Sequence, residues 1–164
     1  MAALTAGTKA PDVVLKTVDG TAFSLPDQLE KTPVVLAFFK ISCPVCQYAF
    51  PFLERLHKAY GDKNVRLIGV SQDNAKDTAR FMQEFGVTFP VLLEESSYAV
   101  SNAYGLTNVP SVFWVGQDSE IEISSVGWIK TDFEQIGRKM ADASKKSPAT
   151  VFKPGEDIRD FRAG

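Results

Sequence analysis

Two cysteines, Cys43 and Cys46, are the only ones in this 164-residue chain, and they stand together in Ser42-Cys43-Pro44-Val45-Cys46-Gln47. Three residues along a helix is close to one turn, so a helix starting here puts both thiols on one face. Pro44 and Val45 form the expected helix N-terminus, and proline suits the first turn, where its missing N–H would have had no partner. Cys43 then takes the N-cap. A sulfur there meets unpaired backbone N–H groups and the positive end of the helix dipole, surroundings that favour a thiolate. Such a thiolate attacks a disulfide, and a second thiol one turn on resolves the mixed disulfide and releases product. Cys43 is the expected nucleophile and Cys46 the resolving cysteine. The redox-active Cys43–Cys46 disulfide takes the place of a cofactor.

Other uses of the pair fit less well. A structural zinc site needs four ligands, whereas the chain has two cysteines and one histidine, His57, far down the same helix; no metal is expected. A c-type haem site would need histidine after Cys46, where Gln47 stands. A structural disulfide is the remaining alternative, but so short a loop constrains the unfolded chain little.

The elements that must hold the pair can be read around it. The apolar run Val34 to Phe39 suits a strand buried on both faces. A helix from Pro44 to Tyr60 follows, closed by Gly61, with Val45, Ala49, Phe52, Leu53 and Leu56 as its buried stripe. Val65 to Val70 is the next strand, and a helix from about Asn74 to Phe85 ends at Gly86. Strand, helix, strand, helix implies a parallel sheet with right-handed crossovers. Upstream, Asp19-Gly20 between two β-rich runs reads as a hairpin over about 7–25, and Pro26 to Pro33 connects it with one helical turn. Downstream come an extended piece at Phe89 to Glu94, a short helix from Ser97 to Tyr104, and strands Ser111 to Val115 and Ile121 to Val126. The last helix runs from Thr131 to about Lys146, with Thr131 and Glu134 as a capping box. Residues 1–146 therefore form one domain, and 147–164 a tail that either docks or is disordered.

From Gly7 to about Lys146 the chain resembles the thioredoxin superfamily, especially thiol-disulfide reductases similar to TlpA and ResA. Beyond the cysteines, the resemblance rests on Pro51 in the active-site helix, on Asn108-Val109-Pro110-Ser111-Val112-Phe113, and on Gly127. Ala10-Pro11-Asp12, an extended run and Asp19-Gly20 resemble the N-terminal extension that such proteins share with peroxiredoxins. The resemblance implies an α/β thioredoxin-like fold, a central mixed sheet flanked by helices, with an N-terminal β-hairpin extension. It further implies a cis Pro110 loop facing the cysteines, Val109 pairing its backbone with substrate, and Gly127 lining the groove.

Several positions depart from that pattern. Ala37 and Ala49 stand where relatives carry carboxylates, which leaves Asp73 as the candidate proton acceptor for Cys46; the alternative for Asp73 is the N-cap of the following helix. Ser42 replaces a tryptophan, and Trp128 is the candidate substitute wall of the substrate groove, with buried core as its alternative. Lys40 could add positive charge near the thiolate or simply be solvated.

The net charge of −2 and pI near 5.4 give no basic surplus for nucleic acid. No run is long enough for a transmembrane helix, and the first residues lack the charged and apolar regions of a secretory signal. The expectation is a cytoplasmic monomer, or an exported form if the chain has been trimmed. It would exchange protein or small-molecule disulfides and draw on an unidentified thiol donor. The alternatives are a peroxiredoxin-like peroxidase and a redox sensor without turnover. The peroxidase needs a hydroxyl three residues before its cysteine, where Lys40 stands before Cys43 and Cys43 itself before Cys46.

Overall fold

The computed structural model describes residues 2–61, 63–94, 97–148 and 151–164. Met1, Asp62, Glu95, Ser96, Ala149 and Thr150 lie outside the described residues, including the parts of the N-terminal stretch and the tail that fall on them.

Strand β3 (Val34–Phe39) is buried along its whole length, as a continuous apolar run should be when both faces of a sheet are covered. It pairs in parallel with β4 (Arg66–Ser71) and antiparallel with β6 (Ser111–Val115). The sheet has seven strands in the order β2-β1-β5-β4-β3-β6-β7, where β1 is Val14–Thr17, β2 Ala22–Ser24, β5 Val91–Leu93 and β7 Ile121–Val126. Alternate residues of β3 feed two cores. Val35, Ala37 and Phe39 pack with Ala49 and Leu53 of helix α2 (Pro44–Tyr60) and with Phe133 and Ile136 of α5 (Lys130–Ala143). Val34, Leu36 and Phe38 face Leu25 and Leu29 of α1 (Leu25–Leu29) and Tyr104. Helix α3 (Ala75–Phe85) follows β4, and α4 (Ala99–Ala103) follows β5.

The mixed pairing decides where the site can form. Phe39 at the end of β3 lies opposite Ser71 at the end of β4, and Phe38 lies opposite Ser111 at the start of β6. Ser111 is in turn paired with Val126 at the end of β7. The segments after β3, after β4, before β6 and after β7 therefore meet at one end of the sheet. These segments carry Cys43, Asp73, Pro110 and Gly127.

Two local expectations change. Asn74, not Asp73, caps α3, its side chain accepting from the Asp77 N–H at 2.8 Å. The expected Thr131–Glu134 capping box does not form. Helix α5 begins at Lys130, directly after strand β8 (Trp128–Ile129), and its N-cap, Ile129, makes no side-chain cap bond. The Lys130 N–H instead donates to the carbonyl of Asp160 at 2.9 Å. That carbonyl belongs to the tail, whose residues 151–164 lie on the domain and contribute β9 (Phe161–Arg162), antiparallel to β8. No helix among the described residues is long and apolar enough to cross a membrane.

Candidate active site

Helix α2 begins at Pro44 with Cys43 as its N-cap, and the Cys43 Sγ accepts the Cys46 N–H at 3.3 Å. The same sulfur lies 3.4 Å from the Val109 carbonyl oxygen, to which its S–H donates. Cys43 is half-buried, Pro44 is exposed, and Cys46 has no exposed surface. Both cysteines are free thiols. Val45 is 8 % exposed and belongs to the core, so its part in the site is backbone.

The Cys46 thiol is pushed far above its ordinary range. Burial is the main cause, the hydrogen bond with Cys43 comes next, and the charges of Cys43 and Asp73 add to it; a backbone hydrogen bond from Lys40 opposes them. The two thiols therefore differ in kind. The outer one is reachable, and the inner one is held protonated partly by the outer one. Converting Cys43 to a mixed disulfide removes the charge of the neighbouring sulfur, which lowers the obstacle to ionising Cys46.

Asp73 is half-buried, and its Oδ2 accepts the Ile41 N–H at 2.8 Å, bracing the segment that carries the cysteines. Its own N–H donates to Ser71 Oγ at 3.0 Å. On the other side, Gln47 Nε2 donates to the Ile41 carbonyl at 3.0 Å. The segment between β3 and α2 is thus fixed from both flanks. Lys40 is exposed.

The Val109–Pro110 bond is cis, and the Pro110 carbonyl accepts the Gly127 N–H at 2.8 Å. Gly127 has φ +77°, and a Cβ built there would stand 2.6 Å from the Arg162 carbonyl oxygen. The space beside Gly127 is therefore filled by the tail.

Trp128 is not an open wall of a groove. It has no exposed surface and is packed at ring-centroid distances of 5.1 Å from Tyr48, 5.0 Å from Phe52 and 4.4 Å from Phe133. Its Nε1–H donates to the Arg159 carbonyl at 2.6 Å. The physical reason is the tail: Phe152 packs edge-on against Phe52 and Trp128, and Arg159 supplies the indole with an acceptor, so the ring is closed in. Sequence reasoning missed the role of Tyr48 and Arg55 in this arrangement. Their spacing with Phe52, at 48, 52 and 55, marks one helical face beginning near the cysteines.

Comparison with known proteins agrees with this layout. The AhpC/TSA family profile matches residues 6–124. The chain belongs to the AhpC/TSA family. Among relatives, it is 29 % identical over 135 residues to the thiol-disulfide oxidoreductase ResA of Geobacillus thermodenitrificans, covering 81 % of this chain and 76 % of that protein. The thioredoxin-like protein YneN of Bacillus subtilis is 30 % identical over 134 residues, covering 79 % and 76 %. In fold, the chain is similar to the thioredoxin domain of a thiol-disulfide oxidoreductase from Bacteroides vulgatus, with TM-score 0.73, 22 % identity and coverage of 83 % and 97 %. This member of the family is thus a TlpA/ResA-like protein of the thioredoxin superfamily, with a mixed sheet flanked by helices and N-terminal strands at its edge.

Proposed function

We propose that the chain is a thiol-disulfide oxidoreductase that works through the Cys43-Pro44-Val45-Cys46 pair. The observation that carries this reading is the asymmetry of the two thiols. One is half-exposed at a helix N-cap, and the other is buried one turn behind it with its N–H on the first sulfur.

The Cys43 thiolate attacks one sulfur of a substrate disulfide. A Cys43–substrate S–S bond forms, the substrate S–S bond breaks, and the departing thiolate takes up a proton. Cys46 then gives its proton to an acceptor, and its thiolate attacks Cys43 Sγ. The Cys43–Cys46 disulfide forms, the second substrate sulfur leaves as a thiol, and two electrons have passed from the protein to the substrate. A dithiol donor restores the pair by the reverse sequence. Asp73 is our candidate acceptor, because its charge acts on Cys46 while its Oδ2 braces Ile41. The Val109 carbonyl, beside Cys43 Sγ, is backbone that an extended substrate segment can pair with. The peroxidase alternative lacks its hydroxyl, since exposed Lys40 holds that position.

The test is trapping. Cys46→Ser incubated with a disulfide substrate should accumulate a stable mixed disulfide on Cys43, seen by intact mass, while Cys43→Ser should form none and lose turnover. A mixed disulfide on Cys46 in Cys43→Ser at the same rate would overturn the assignment of roles. Loss of the Cys46 proton is separable. Asp73→Asn should slow release of the mixed disulfide by about 10²-fold near neutral pH, with the deficit shrinking as pH rises and hydroxide competes.

A further inference from the structure

Segment Val151–Gly164 lies where a polypeptide substrate would have to lie. Gly164 rests against the Val109 carbonyl so closely that a side chain at 164 would collide with it, and the Gly164 carbonyl accepts from Asn108 Nδ2 at 2.9 Å. The Val109 carbonyl is also the oxygen beside Cys43 Sγ. Arg162 closes the space over Gly127, and its guanidinium stands 5.0 Å from the centroid of Tyr48 on the second turn of α2. The segment thus covers Val109 and Gly127, which flank the Pro110 turn, while Cys43 itself stays half-exposed.

The way the segment is held is as informative as where it sits. None of residues 151–164 is buried, and Phe161 is 62 % exposed. The backbone pairing amounts to Trp128↔Arg162 and Ile129↔Phe161, with the Lys130 N–H donating to the Asp160 carbonyl beside them. Most of the remaining hold comes from side chains of α2. Arg55 forms a two-pronged ion pair with Glu156, at 2.8 Å for each prong, and donates to the Val151 carbonyl at 2.9 Å. Phe152 packs edge-on against Phe52, and Tyr48 Oη accepts the Arg159 N–H at 3.0 Å. The ion pair and hydrogen bonds exchange with water, and Val151, Phe152 and Ile158 pack on the core while staying only partly buried, so the segment can leave without unfolding the cores beneath it.

We propose that residues 151–164 form an autoinhibitory strap that must lift before an extended polypeptide disulfide reaches Cys43, whereas a small disulfide reaches it with the strap in place. This rests on the oxidoreductase reading given above. The strap competes with an incoming backbone for the Val109 edge. Strap opening therefore multiplies the apparent rate on polypeptides by the open fraction and leaves small disulfides nearly untouched.

The test compares insulin, as a polypeptide disulfide, with 5,5′-dithiobis(2-nitrobenzoate), as a small one, in the full chain. The variants are Glu156→Arg, which sets two cations against each other, and the charge-swapped Arg55→Glu/Glu156→Arg. Glu156→Arg should raise kcat/KM for insulin about two- to fivefold. Its rate on the small disulfide, which also reports that the site is folded, should stay close to that of the unaltered protein. The swapped pair should return insulin turnover toward the original value. Hydrogen exchange should show faster loss of protection at the Lys130 amide in the single variant. Equal changes on both substrates, or no change on insulin despite faster exchange at Lys130, would overturn the strap. Absence of turnover of either disulfide by the unaltered protein would overturn the oxidoreductase reading itself, and the strap with it.

Discussion

The chain carries two additions around the β3–β6 unit, one at each end of its sequence, and they are attached by different physics. The N-terminal strands are built into the sheet. β1 pairs antiparallel with both β2 and β5, Val13 has no exposed surface, and Leu25 and Leu29 are 1 % and 4 % exposed in the core beneath. The tail is laid on the surface through an ion pair, ring contacts and a two-residue pairing, with no buried residue among those described. Burial of Val13, Leu25 and Leu29 makes the first addition inseparable from the fold. The second is attached mainly by groups that water can replace, beside the reactive sulfur. The difference separates a structural extension from a removable cover.

The contrast can be broken most severely at the N-terminal side. Leu25→Ala should cost about 2–5 kcal/mol, because it leaves a cavity in a close-packed core, and urea unfolding should show it. Phe152→Ala in the tail should cost well under that and leave the unfolding midpoint close to the original. A tail substitution as costly as Leu25→Ala would mean that the strap is core after all.

A middle-sized effect comes from pH. The Arg55 hydrogen bonds, with the Lys153 N–H helping, hold the Glu156 carboxyl down to about 2 from an ordinary 4.5. A depressed carboxyl contributes above its ordinary value and loses that contribution as pH falls through its docked value. Docking should therefore hold from neutrality to about pH 4.5 and weaken progressively from there toward about pH 2. Emission of Trp128, in a Trp114→Phe background, should shift to the red over that window. Glu156→Gln should show no such window.

The smallest effect lies away from both additions. His57 is held below its ordinary 6.5 mainly by burial, with Arg66 and Lys58 adding and Glu54 opposing, and its Nδ1 is buried without a hydrogen-bond partner among the described residues. The unfolded chain binds the proton more readily, so the stability this group contributes is present above about pH 6.5 and declines below it. Replacing it in His57→Phe should flatten the fall in Tm between about pH 7.5 and about pH 5.5.

What could be read from the sequence follows from how local each signal is. Val34 to Phe39 announces a central strand because six apolar residues need cover on both faces, and Pro44 after Cys43 announces a helix start. Adjacent Asp73 and Asn74 are both good caps, and no local rule chooses between them. The choice falls to Asn74 because Asp73 is engaged 32 residues away, at the Ile41 N–H. Thr131 and Glu134 have the spacing of a capping box, yet the helix starts at Lys130, whose N–H is taken by Asp160, so Thr131 already lies inside it. Trp128 could be assigned to a groove or to the core only by knowing where the tail lies. That in turn depends on Tyr48, Phe52 and Arg55 acting as one face. Long-range partners, rather than propensities, account for each miss.

The most direct measurement is a redox titration of the full chain against a glutathione series, with free thiols mass-tagged at each point. The expected result is one reversible two-electron transition in which the tags on Cys43 and Cys46 disappear together. A midpoint near or below about −230 mV would fit a cytoplasmic reductase, and one near about −120 mV an oxidant in another compartment. Two cysteines that never form a reversible intramolecular disulfide, or that lose their tags independently, would contradict the account at its centre.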